Sequence, residues 1–264
     1  MAQANDLFKQ LKRHPLPIAA RFEHALALTY ALPESALAPL IPPGLELDTW
    51  NGHAFIAVAT VRTRGLRPSF LPSVFGRNFL LAGYRIFTRF RTSNGDVLRG
   101  LRIIRTDATS ASMVTWGNRL TRYAYHHADM QSDRRNGTLL FSVRTPRGEA
   151  DLEFSAHVAG RPAPLPPESP FPDMETAREY SAPLPLTFDY EPETNSMIVV
   201  RGRRAHWNPQ PVSVDVRRNT FLTSDLFAGA PAILANAFYV EDVPYLWERG
   251  RREPVQKGSL RDSG

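Results

Sequence analysis

The sequence predicts a mainly β (α+β) domain carrying a few helices, and three observations lead to that class. Asn51-Gly52, Asn94-Gly95 and Asn136-Gly137 each lie between apolar runs, and Asn-Gly is the pair that tolerates the positive φ angles of a tight hairpin turn. Ala150, Leu152, Phe154, Ala156 and Val158 alternate strictly with Asp151, Glu153, Ser155 and His157, the period of a strand with one wet face. No helix-rich stretch follows the six prolines between positions 160 and 172, so that segment reads as a loop over the body rather than a linker. Residues 1–250 are therefore expected to form one domain, with 251–264 a polar, disordered tail.

The elements follow in order. Positions 7–12 suit a short amphipathic helix that Pro15 and Pro17 end. Positions 18–31 are β-like, with Ala20, Phe22, Leu26, Leu28 and Tyr30 mostly in register. Pro33 opens a helix that Pro42-Pro43-Gly44 stops. Strands over 45–50 and 53–62 flank the first Asn-Gly pair, and strands over 78–91 and 96–106 flank the second. Next comes a helix capped by Asp107 or Thr109, with Met113, Trp116 and Leu120 at helical spacing and Arg119 and Arg122 at its cation-favouring end. It delivers an aromatic strand, 123–130, whose alternation puts Tyr123, Tyr125, His127 and Asp129 on one face and Ala124, His126, Ala128 and Met130 on the other. After the third Asn-Gly pair come strands over 138–145 and 150–158, a helix over 174–180, a hairpin over 184–203, a β-like 211–216, a helix within 224–235 and a last strand over 238–247.

Composition excludes several classes. With no cysteine among 264 residues, disulfides, thiolate metal sites and cysteine nucleophiles are ruled out. The net charge of +6 and pI near 9.9 invite a nucleic-acid reading. Only three of the 32 basic residues are lysines, and the arginines are spread over strands and tails rather than gathered on one element, so no nucleic-acid partner is expected. The N-terminus has no apolar stretch of signal-peptide length. The most apolar window, 226–240, is interrupted by Pro231 and Asn236 and is too short to span a bilayer. A cytoplasmic protein without membrane contact is expected. There is no Gly-x-Ser-x-Gly elbow, Walker loop or dinucleotide fingerprint, and Ser110 and Ser112 are explained by capping.

The order of features then resembles a known family. Arg21-Phe22-Glu23 leads to Leu32-Pro-Glu-Ser-Ala-Leu-Ala-Pro-Leu-Ile-Pro-Pro-Gly-Leu-Glu-Leu-Asp-Thr-Trp-Asn-Gly-His-Ala-Phe-Ile-Ala-Val. Asn78-Phe79, Tyr84-Arg85-Ile86-Phe87, a glycine-containing hairpin, Leu101 to Asp107 and Tyr125-His-His-Ala-Asp-Met follow. The series is similar to the YqjF-like family of uncharacterised proteins within the acetoacetate decarboxylase-like superfamily. It covers residues 22–130 well and the C-terminal third loosely. The resemblance implies a closed, cone-shaped antiparallel β-barrel with a few flanking helices, a pocket inside the barrel and a possible homo-oligomer. In the decarboxylase branch, a Gly-Phe-Pro-Lys-Lys-like segment supplies a Schiff-base lysine; laid on this chain from Gly117, the lysine pair falls on Tyr125 and His126. The superfamily's pocket glutamate falls near Leu80 or Leu81. No lysine lies between Lys12 and Lys257, so decarboxylation of that type is not expected and no cofactor is called for.

Arg85 matches the family's arginine before an aromatic pair. On an inward face it would need an anion, either a ligand carboxylate or a structural partner such as Asp107 or Glu153. Tyr125, His126 and His127 are the candidate catalytic groups, because histidine moves protons near neutrality and tyrosine can donate to an oxyanion; Arg85, Asp107, Tyr123 and Trp116 are the candidate substrate contacts. A regular strand sends His126 and His127 to opposite faces, so a metal site would need His127 and Asp129 joined by His157 or His206, and none is expected. An enzyme of lyase, hydratase or isomerase type predicts a pocket in which Tyr125, Arg85 and a histidine converge. A binding protein predicts a mostly apolar pocket with the histidines outside. An interaction protein using its arginine-rich surface predicts no enclosed pocket.

Overall fold

The structure is a computed structural model that describes residues 11–181 and 184–256, so the expected helix over 7–12 lies outside it except for its last two positions. Strand β1 (Ile18–Pro33) ends where Pro33 opens α1 (Glu34–Leu37), which tightens to a 3-10 turn over Ala38–Leu40 because Pro39 has no amide to continue the α ladder. Strands β2 (Leu45–Leu47), β3 (Thr49–Trp50), β4 (His53–Pro68), β5 (Arg77–Arg91) and β6 (Val97–Ala108) follow. Asn51 and Gly52, and likewise Asn136 and Gly137, both take positive φ as expected. At the second pair only Gly95 does, in a longer loop whose amide reaches the Thr92 carbonyl at 3.0 Å. After α2 (Ala111–Leu120) come β7 (Tyr125–His127), β8 (Asp129–Arg135), β9 (Thr138–Arg144), β10 (Leu152–His157), α3 (Met174–Ser181), β11 (Leu186–Glu191) and β12 (Ser196–Arg204). β13 (Gln210–Pro211), β14 (Ser213–Asn219), β15 (Ile233–Trp247) and β16 (Arg251–Pro254) complete the order.

Ladder pairings run β15-β1-β4-β5-β6-β11-β12, and Gly202–Arg204 of β12 then pair with Tyr245–Trp247 of β15, so the sheet returns to its starting strand. Such closure removes exposed ladder edges. Two pairings depart from the expected antiparallel pattern: β6 is parallel to β7 and to β11. The chain returns to the starting end of β6 through α2 in one case and α3 in the other, and a crossover of that kind delivers a parallel neighbour. A second sheet, β14-β10-β9-β8, lies against the first.

Alternation decides what each ring strand contributes. Leu26, Leu28, Ile56, Val58, Tyr84 and Ile86 face outward and bury against Leu139, Phe141, Val143, Leu152 and Phe154 of the second sheet, forming the main core. The inward positions hold small residues, Ala25, Ala27, Ala57 and Ala59, with Gly83 beside them. Such residues cannot fill the interior. On one side Phe55 and Phe87 meet Phe171 and Tyr180, so α3 and the end of the proline-rich segment pack against that part of the barrel.

Several expectations fail for physical reasons. The helix expected within 224–235 is only a 3-10 turn, Asp225–Phe227, ended by positive φ at Ala228 and Gly229. Residues 233–240 are strand because pairing with β1 buries Ala235, Ala237, Phe238, Tyr239 and Val240, and tertiary pairing overrides weak local propensity. The tail expected from 251 begins instead as β16, paired with Ser196–Val199, and Val255 is buried with Phe90 and Phe188; residues 257–264 lie outside the described residues. The strand expected over 123–130 divides at Ala128 into β7 on the barrel and β8 on the second sheet.

Candidate functional site

A cavity of about 500 Å³ is bounded by β1, β4, β5, β6, β7 and α2; the small inward alanines border a smaller void instead. Its walls are mostly apolar, with Phe22, Val61, Leu81, Ile103, Met113 and Trp247 among them. Arg85 also lines it. Gly83, two residues earlier on the same face, lets the guanidinium lie along the strand, since a Cβ there would sit 3.4 Å from Nε. The Nε of Arg85 is buried without a hydrogen-bond partner. Neither expected structural partner reaches it, because Asp107 pairs with Arg105 at 2.7 Å and Glu153 with Arg144 at 2.7 Å. Around it lie Tyr123, Tyr125 and Tyr245. A smaller void of about 130 Å³ also reaches Arg85, and Thr187, Arg204, Trp207 and Tyr245 line it.

Helix α2 sets the tyrosines. Ser110, not Asp107 or Thr109, is its N-cap, accepting from the Met113 amide at 3.3 Å; β6 runs on to Ala108 and leaves the other two outside the helix. Gly117 faces β7, where a Cβ would come within 2.4 Å of the Tyr125 ring, so only glycine permits this approach. Asn118 clamps the same residue, its Nδ2 donating to the Tyr125 carbonyl at 2.8 Å and its Oδ1 accepting from the Tyr125 amide at 2.9 Å. Tyr123 and Tyr125 both line the cavity, with Ala124 between them at φ 48°. The Tyr123 hydroxyl lies 3.0 Å from Thr187 Oγ1.

Burial dominates the electrostatics. It pushes the ionisation of Arg85 below its ordinary value, opposed by the three tyrosines and reinforced by the like charge of Arg204; arginine nevertheless stays charged at physiological pH. Burial raises the Tyr125 phenol to about 12, against the pull of Arg85, and raises Tyr123 as well. Both phenols are therefore neutral hydroxyls able to donate.

Of the residues singled out from sequence, Arg85, Tyr123, Tyr125 and Trp116 come together around the cavity. His126 and His127 do not. Both are exposed and absent from the lining, and His126 sits near Arg105, Asp107 and Glu149 instead. Asp107 also faces away, buried in a bidentate pair with Arg105 that Glu149 joins. A histidine that sequence reasoning passed over, His14, does line the cavity. It is buried, its Nδ1 lacks a partner, and burial lowers its pKa to about 4. Only the chain's return past the barrel puts it there, through bonds from its amide to the Leu120 carbonyl and from the Gly250 amide to its own carbonyl; no local pattern signals it. Among the described residues no group of three or more His, Asp or Glu side chains is placed to hold a metal, and no helix is long and apolar enough to cross a membrane.

Known proteins share this architecture. The structure superposes on acetoacetate decarboxylase from Legionella pneumophila with a TM-score of 0.60 at 12% identity, covering 90% of this chain and 87% of that one. An acetoacetate decarboxylase-like enzyme from Sphingomonas wittichii RW1 gives 0.59 at 13%, covering 93% and 96%. The enduracididine biosynthesis enzyme MppR, solved with pyruvate, gives 0.61 at 13%, covering 90% of each chain. At such identities the likeness speaks for the fold alone. In sequence, the uncharacterized protein YqjF of Bacillus subtilis is 30% identical over 133 residues, so the match spans half of this chain and 52% of that relative. The DUF2071 family model, described as an uncharacterized conserved protein, matches residues 19–244, and the chain accordingly belongs to the DUF2071 family, with an acetoacetate decarboxylase-like fold.

Proposed function

We propose that this protein binds a small organic molecule bearing a carboxylate or carbonyl group inside the barrel, with Arg85 as the anion anchor and Tyr125 as a neutral hydrogen-bond donor. The observation that carries the reading is Arg85, which lines the cavity and whose buried Nε has no hydrogen-bond partner among the described residues. An unpaired buried cation is costly, and a ligand carboxylate offers the forked pairing geometry a guanidinium favours. MppR, of like fold, has been solved with pyruvate, itself a small keto acid. Imine chemistry is left out because no lysine lies between Lys12 and Lys257. A thermal-shift screen against small keto acids, hydroxy acids, enones and divalent metals tests the proposal. A carboxylate or carbonyl compound should raise Tm, and Arg85→Ala should abolish the rise while leaving a folded protein. If no such compound shifts Tm, or if the shift survives in Arg85→Ala, the anchor is wrongly assigned.

Acid-base turnover of the bound carbonyl compound, as in a lyase, hydratase or isomerase, is a second reading. It is favoured by one observation: His14, with a free Nδ1, lines the same cavity as Tyr125. Exchange of the bound compound's α-protons for deuterium, followed by NMR, should then require His14 and Tyr125, whereas binding alone would leave the protons in place.

A further inference from the structure

The cavity is far larger than a three-carbon acid needs. Pyruvate, with about six non-hydrogen atoms, fills only part of a cavity of about 500 Å³. A ligand that small would leave most of the apolar wall in contact with water. Arg85 reaches the smaller inner void as well as the main cavity, whereas Leu16, Phe75 and Trp116, beside Arg67 and the exposed Arg77, line the cavity while still 36%, 61% and 56% exposed. Those three therefore sit where the cavity meets solvent. Phe70 and Val74, on the same connection between β4 and β5 as Phe75, are also exposed. Large apolar side chains grouped at an opening are unfavourable in water unless something apolar passes or rests there.

We propose that the cavity takes an amphipathic organic acid: a carboxylate or 2-oxo-carboxylate head at Arg85 and the Tyr125 hydroxyl, and an apolar tail of medium-chain or aryl size running along Phe22, Ile103 and Met113 toward Trp116 and Phe75. This rests on the anion-anchor reading above and narrows it to a substrate class. The tail supplies most of the affinity by burial, and the head fixes its direction.

Calorimetric titration of the full chain with straight-chain 2-oxo acids of three, six, eight and ten carbons, and with phenylpyruvate, tests the class. Affinity should rise by about fourfold for each added methylene until the cavity is filled. Arg85→Leu should weaken every acid at least tenfold. Paired Phe75→Ser and Trp116→Ser substitutions should weaken the eight- and ten-carbon acids and phenylpyruvate while leaving the three-carbon acid unchanged. If the three-carbon acid binds through Arg85 and affinity does not grow with length, the amphipathic class is overturned and the anchor stands. If no acid binds, or if Arg85→Leu binds them all as well as the parent, the anchor falls and the class with it.

Discussion

Two side chains show what single residues reveal here. Among the described residues Arg85 has neither a paired carboxylate nor a hydrogen bond to its Nε, so in the ligand-free protein it costs stability. Arg85→Met, which keeps the apolar stem and deletes the charge, is expected to stabilise the free protein by about 1 kcal/mol or more in urea unfolding while abolishing anion binding. A loss of stability of that size instead would make Arg85 structural. His14 behaves oppositely with pH. Unfolded, its imidazole takes a proton near pH 6.5; folded, only near 4. Between those values the unfolded chain binds more protons, so this residue's contribution to stability is lost as pH falls, by about 2 kcal/mol on going from pH 6.5 to 5. Urea unfolding at pH 7.5 and 5.0 should show that loss in the parent and a correspondingly smaller one in His14→Phe. Equal losses in the two proteins would mean that other groups carry the pH dependence. Arg85 could be picked out from its sequence context, but its lack of a partner could not, because Asp107 and Glu153 looked equally available until Arg105 and Arg144 were seen to hold them.

Helix α2 and strand β7 work as one element that aims Tyr125. Their contact depends on Gly117, and the Tyr125 ring against it is held at both backbone groups by Asn118. Alanine is the better helix former by about 1 kcal/mol, yet Gly117→Ala is expected to destabilise by about 1–3 kcal/mol through overpacking against the ring and to weaken ligand binding by displacing Tyr125. Circular dichroism melts paired with the ligand titration would check both parts; a net gain in Tm with unchanged affinity would show that the ring moves at no cost. Ser110→Ala should cost about 1 kcal/mol through the lost cap. The helix itself was legible from Met113, Trp116 and Leu120, whereas its cap was not, since Asp107, Thr109 and Ser110 are all good capping types and the choice was made by how far β6 pairs with β5.

Across the whole molecule, opposite faces of the same strands meet two different packing demands. Outward Leu28 and Val58 are fully buried against Phe141 and Phe154, whereas the inward alanines leave space. Leu28→Ala should therefore cost about 2–5 kcal/mol, while Met113→Trp, on the cavity wall, should be closer to neutral for stability yet reduce binding of the longest acids. If Met113→Trp left ligand size preference unaltered, the ligand would lie elsewhere. Ring closure through β12 and β15 is shared with β16, whose pairing covers Ser196–Val199 and brings Val255 into a buried cluster. Truncation after Gly250 is expected to lower Tm by exposing that edge; an unchanged melt would show that β16 adds nothing.

By itself the sequence determined the β class, most strands and their hairpin order, because alternation and Asn-Gly turns are local and period two is unambiguous. It also showed that no lysine lies between Lys12 and Lys257. Tertiary structure alone decided which strand faces look inward, since extra residues at Ala235 in β15, opposite Thr29/Tyr30, and at Ile104 in β6, opposite Tyr84/Arg85, shift the register that alternation would otherwise fix. It likewise turned 233–235 from helix to strand through pairing with β1, left His126 and His127 outside, and brought His14 to the same cavity as Tyr125, more than a hundred residues further along the chain. Contacts of that separation depend on how the ring closes, and no local window of residues records them.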